Sequence, residues 1–131
     1  IALARRGRAT AVAIAGAILG ACVSAEVLKA GLGRLDPFGW ETLRGHPGSF
    51  PSGHVTVAVV VTLAALMVSP PQRRRAVALI GGVYSSSVAA AVVLLRWHLP
   101  SDALGGALLA VTWMAAAGCM LAGRRIADRG P

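Results

Sequence analysis

The sequence predicts an all-α, polytopic transmembrane bundle of four helices, and three observations lead there. The chain of 131 residues is 56% hydrophobic and only 14% charged, against about a quarter charged in an ordinary soluble domain. Its apolar residues gather in four long runs. Its arginines sit in short clusters between those runs, a pattern of membrane topology rather than of nucleic-acid binding. Backbone groups cannot go unsatisfied in lipid, so each run is expected to be helical. The length suits one domain over residues 1–131.

The first run covers residues 10–28 and qualifies as a span, which needs roughly 17–20 residues. It is long and carries the charged Glu26 and Lys29 at its end, so it does not read as a cleavable leader. The chain opens on Ile1 and is expected to be part of a longer protein. The second run, residues 55–68, reaches spanning length only if its helix starts near Ser52. The third and fourth runs, residues 76–95 and 103–121, are long enough as they stand. The breaks between runs are a Pro- and Gly-rich loop over residues 33–51, a tight turn at 69–72 and a short connection at 96–101. Cys22 and Cys119 both lie inside apolar runs and are expected to be small core residues.

Charge orients the bundle. If the helices alternate, Arg5, Arg6, Arg8, Arg73, Arg74, Arg75, Arg124, Arg125 and Arg129 share one side. Lys29, Arg34, Arg44 and Arg96 share the other. The positive-inside rule makes the arginine-rich side cytoplasmic, so the loops over 33–51 and 96–101 face outward. Arginine outnumbers the single lysine among 13 basic residues, a composition that points to a GC-rich bacterial genome and hence to a bacterial plasma membrane.

The chemistry gathers at the outward end. His46, His54 and His98 map there, with Glu26, Asp36, Glu41 and Asp102. Ionisable groups at membrane helices mark functional sites by default. Phe50-Pro51-Ser52-Gly53-His54 runs straight into the second helix. A helix N-terminus offers free N–H groups and partial positive charge to an anion. Gly53 lets the backbone approach closely, and Ser52 either caps the helix or donates to an oxygen. In Arg96-Trp97-His98-Leu99-Pro100-Ser101-Asp102, Pro100 suits the first turn of the fourth helix. Asp102 beside His98 would orient the imidazole for nucleophilic or acid–base work, or the segment is an interfacial cap with Trp97 as its membrane anchor. Trp40 and Phe38 are expected at the membrane surface as well. Lys29 either snorkels to the headgroups or clamps a phosphate, and Glu26, one turn earlier, is its expected partner. A metal held by His54, His98 and Asp102 is a weaker alternative, with three ligands from two segments.

Together these stretches resemble the type 2 phosphatidic acid phosphatase (PAP2) superfamily. Pro51-Ser52-Gly53-His54 reproduces one motif in full, His98 and Asp102 match another with three residues between them, and Lys29 and Pro37 match the first. The resemblance implies a six-helix core of which these four are the last, with two N-terminal helices missing from this chain. It also implies hydrolysis of a lipid phosphate or pyrophosphate at the outer face, with no metal and no cofactor. Phosphatidic acid, phosphatidylglycerol phosphate and polyprenyl phosphates all fit. By this resemblance His98 is the nucleophile that becomes phosphohistidine, Asp102 supports it, and His54 protonates the leaving oxygen. Lys29, Ser52 and Gly53 would hold the phosphate. Two motif arginines are replaced: Asp36 stands before Pro37, and Ala91-Val92 stands where the family has Ser-Arg. Arg34 and Arg96 are the expected stand-in cations. The alternative these replacements raise is a catalytically degenerate subunit or lipid-binding component of a membrane complex.

Overall fold

The computed structural model describes residues 2–32 and 49–127. Four helices are present among them: α1 (Ala2–Leu32), α2 (Gly53–Val68), α3 (Arg74–Leu94) and α4 (Pro100–Ala127). A short 3₁₀ turn, Pro71–Arg73, joins α2 to α3, and there are no strands among the described residues. Three helical stretches, Gly7–Leu32, Pro71–Leu94 and Pro100–Ala127, are long and apolar enough to cross a membrane. This is an all-α integral membrane protein, as the apolar runs predict.

Residue placement is that of a bundle in lipid. Large apolar side chains point outward, among them Val12, Leu19 and Val27 on α1, Leu79, Ile80 and Val83 on α3, and Leu104 and Leu108 on α4. Small residues point inward: Ala17 and Ala21 of α1 meet Val60 of α2 and Ala110, Met114 and Ala117 of α4 in one buried cluster. Lipid tails are as apolar as leucine, so helices gain little by hiding leucine and associate through close backbone approach instead.

α2 is the odd member. Its helix starts at Gly53 with Ser52 as N-cap and runs 16 residues, about 24 Å at 1.5 Å per residue. It is therefore shorter than the span expected of it. It packs against all three other helices, as α4 also does, whereas the backbones of α1 and α3 do not approach one another. A helix that is apolar all round belongs in the middle of a bundle. Cys22 is half-buried, but Cys119 is exposed rather than a core residue. Its position on α4 falls outside the stripe Gly106, Ala110, Met114, Ala117 that faces the other helices.

A polar contact locks α3 onto α2. Thr62 Oγ1 donates to the Gly81 carbonyl at 3.3 Å and lies 3.0 Å from Ser85 Oγ, which donates to the Ala58 carbonyl at 3.3 Å. Gly81 leaves room for this, since a Cβ there would lie 2.3 Å from the Thr62 methyl. Helix propensity alone favours alanine over glycine by about 1 kcal/mol. We expect Gly81→Ala to be destabilising nonetheless, by about 1–3 kcal/mol from overpacking. Thermal unfolding in detergent reads this, and Thr62→Ser, which removes the clashing methyl, should recover most of the loss.

Candidate active site

Three stripes of small residues end in polar side chains at the same place. On α1, Ala17, Ala21 and Ala25 are buried at intervals of four, and Lys29 is the next position of that stripe. On α4, Asp102 begins the buried series that continues through Gly106, Ala110 and Met114. At the head of α2, Ser52, Thr56 and Val60 are all fully buried. Residues four apart share a helix face, so packing the apolar faces together carries Lys29, Ser52 and Asp102 to one end of the bundle.

α2 and α4 meet there at backbone distance. The Ser52 N–H donates to the Asp102 carbonyl at 2.9 Å. A Cβ on Gly106 would lie 2.5 Å from the Ser52 carbonyl oxygen, so only glycine permits this approach. Gly105 does the same for the Phe50 ring.

The segment between α3 and α4 is set by its hydrogen bonds. The Arg96 N–H donates to the Val93 carbonyl, and the Trp97 and His98 N–H groups both donate to the Val92 carbonyl at 2.9 and 3.1 Å. The first two bonds form a Schellman ending of α3, with Arg96 in the left-handed position at φ 56. Pro100 then opens α4, as its fixed φ predicts. Asp102 reaches back to accept the Leu99 N–H on Oδ2 at 2.9 Å, the acidic half of a capping box. The same Oδ2 lies 3.6 Å from His98 Nδ1, and both side chains are almost fully buried. That is ion-pair range, longer than a hydrogen bond.

Across from this pair sits Lys29. It is buried, turned inward rather than snorkelling, and its Nζ is 2.8 Å from Glu26 Oε1, the partner expected from the sequence. A Cβ on Gly53 would lie 3.3 Å from Lys29 Nζ, so the ammonium faces the first turn of α2. Ser52 occupies the N-cap but its hydroxyl makes no cap bond. Its Oγ is buried with no hydrogen-bond partner among the described residues. The hydroxyl is thus available as a donor rather than used as a cap. His54 is exposed, with its ring centroid 6.4 Å from that of His98 and 5.8 Å from that of Trp97.

A cavity of about 530 Å³ opens beside these groups, and neither Ser52 nor Asp102 is part of its lining. Glu26, Lys29, Gly53, His54, Thr56 and His98 line its polar part, and Cys22, Val57, Tyr84 and Val88 its apolar part. An ammonium, a helix N-terminus and two imidazoles around one space can receive a phosphate-like anion. Sequence reasoning missed Thr56, whose Oγ1 donates to the Ser52 carbonyl at 2.9 Å and shapes the first turn of α2. Its position four residues after Ser52 was the available signal. It also missed Tyr84 and Val88, for which no local signal existed.

Other expected residues stand elsewhere. Arg96 is exposed and does not line the cavity, its backbone being committed to the Schellman turn. Trp97 is half-buried and packs against the cluster of Val55, Val92 and Ala103. Val92 is itself buried in that cluster. Arg34, Asp36, Pro37, Phe38, Trp40, Glu41, Arg44 and His46 lie outside the described residues.

Fold and site define a helical membrane protein with a partly polar cavity and a buried His–Asp pair beside it. The chain belongs to the PAP2 superfamily, whose family model matches residues 9–126 and whose members are generally phosphatases. No curated protein and no solved structure matches the chain.

Two measurements test this geometry. An unsatisfied buried hydroxyl costs about 1–3 kcal/mol, so Ser52→Ala should raise thermal stability while weakening stabilisation by added inorganic phosphate. A purely structural serine would show a loss of stability instead. A left-handed non-glycine residue costs about 1–2 kcal/mol, so Arg96→Gly should stabilise the protein by roughly 1 kcal/mol in the same unfolding assay.

Proposed function

We propose that this protein hydrolyses a lipid phosphate or pyrophosphate through a phosphohistidine on His98. The observation that carries the reading is the His98–Asp102 pair, 3.6 Å apart and buried, opening onto the cavity that holds Lys29, Gly53 and His54.

Roles follow from placement. Nδ1 of His98 faces the Asp102 carboxylate, so Nε2 is the nitrogen available to attack. The carboxylate holds the ring orientation and stabilises the imidazolium that forms. Lys29, the Ser52 hydroxyl and the N–H groups at the head of α2 oppose the negative charge of the phosphoryl oxygens. Arg34 would add a further cation from the loop. His54, exposed at the mouth and one ring-pair distance from His98, is placed to serve the leaving group. In the first step Nε2 bonds to phosphorus, the bond from phosphorus to the lipid oxygen breaks, and His54 gives that oxygen a proton. In the second step water attacks phosphorus, returns a proton to His54, and releases phosphate from His98. No cofactor enters either step.

A lipid substrate is supported by the shape of the cavity. Cys22, Val57, Tyr84 and Val88 give it an apolar side, and it lies between α1 and α3, whose backbones do not approach one another. An acyl or prenyl chain can leave between these helices while its phosphate stays among the polar groups. The arginine clusters would be cytoplasmic and the site outward-facing by the positive-inside rule, in a bacterial plasma membrane.

One observation favours a second reading. Val92, which stands where the family motif has arginine, is packed in an apolar cluster and supplies no charge. A degenerate subunit or lipid-binding component of a membrane complex accommodates that loss.

Phosphate release from a panel of lipid phosphates and pyrophosphates by the purified protein, with chelator present, separates the two. Under the first reading release survives chelation, and an acid-labile phosphoenzyme forms that is absent in His98→Ala. His54→Ala should slow turnover by about 10²–10⁴. A folded, monodisperse protein with no release from any substrate and no phosphoenzyme points to the second reading.

A further inference from the structure

A second cavity lies at the end of the bundle opposite the histidines, and the site described above makes no use of it. It is a groove of about 690 Å³ between α2 and α4, walled by Leu63, Met67, Met114 and Ile126, with Arg74 and Arg125 in its lining. Sites for small molecules and single lipid chains commonly measure about 300–1,000 Å³. We propose that this groove binds one anionic phospholipid, its headgroup on the two arginines and an acyl chain along α4.

The groove has the shape of a lipid site. Arg74 begins α3 and Arg125 lies in the last turn of α4, so both stand at the helix ends where headgroups lie. Met114 is eleven residues before Arg125 on the same helix, about 16 Å deeper at 1.5 Å per residue. The groove thus runs from a cationic rim into the hydrocarbon. Methionine walls adapt to a flexible chain.

Charge points the same way. Two helices bring Arg74 and Arg125 to one groove, and among the described residues neither forms an ion pair with a carboxylate. Arg74 Nε donates to the Ser69 carbonyl at 3.2 Å, which holds its guanidinium near the rim. Arg73, Arg75 and Arg124 flank the pair, and Asp128 is the one acid near it in the sequence. A second copy of the chain seated on this rim would bring like charge against like. A phosphodiester lipid brings the opposite charge and the hydrocarbon chain together.

Native mass spectrometry of the full chain, equilibrated with equal phosphatidylglycerol and phosphatidylcholine and then stripped of detergent, tests this. One phosphatidylglycerol should be retained in preference to phosphatidylcholine. Arg74→Gln with Arg125→Gln should lower that retention about five-fold per charge, roughly twenty-five-fold for the pair. Arg75→Gln with Arg124→Gln, which removes equal charge outside the lining, should leave it nearly unchanged. Gly118→Leu tests the groove without altering charge. Gly118 lines it, and an added Cβ there meets only the Met67 methyl at 3.9 Å, so the larger side chain projects into the path of the acyl chain and should lower lipid retention. Equal losses in both arginine pairs would mean a diffuse surface field and overturn the proposal. Undiminished retention in Gly118→Leu would overturn it too. So would a lipid-free dimer that Gly118→Leu dissociates, since a second copy would then fill the groove.

Discussion

Asp102 holds the working end of this protein together. Its carbonyl accepts the Ser52 N–H, and its carboxylate accepts the Leu99 N–H while standing beside His98 Nδ1. A carboxylate with no exposure to solvent is costly unless its charge and lone pairs are met. Meeting them requires the head of α2, the end of the loop after α3 and the first turn of α4 to occupy one arrangement. That arrangement puts His98 on the same cavity as Lys29, Gly53 and His54.

The bundle beneath can deliver this because its helices approach closely. Ala17, Ala21, Ala110 and Ala117 let α1 and α4 pack around α2, and Gly106 lets α4 come up against the Ser52 carbonyl. Larger residues at these positions would move Asp102 away from Ser52 and separate the groups by the same displacement. The inward face of the protein is therefore built of the smallest residues, and the chemical residues occupy the final positions of those faces. In water such a core would bury too little apolar area to hold a fold. In lipid, packing and a few interhelical hydrogen bonds take that part.

The two ends of the molecule differ in what they ask of charge. At one end a single ammonium, Lys29, is buried and paired with Glu26, so its position is set by protein contacts. At the other, arginines are exposed on helix ends and two of them border an apolar groove. The first arrangement suits a small, highly charged group held in a fixed place. The second suits a larger amphipathic molecule held loosely at the membrane surface.

Helix number, order and class were legible in the sequence because apolar runs and breakers such as Pro70, Pro71 and Pro100 act locally. The residues of the candidate site were also legible, since Pro51-Ser52-Gly53-His54 and the His98–Asp102 spacing carry their chemistry in short stretches. The inward turn of Lys29 was implicit in the interval of four that links it to Ala17, Ala21 and Ala25. Tertiary structure alone decided the rest. Arg96 is adjacent to the site in sequence, yet a left-handed turn ending α3 directs its backbone elsewhere. Tyr84 and Val88 of α3 reach the cavity through the packing of α3 on α2. The groove with Arg74 and Arg125 joins residues from two helices far apart in the chain. Periodicity and motifs report which face of one helix is which; they hold no information on the distance between two faces, which the packing of small residues sets.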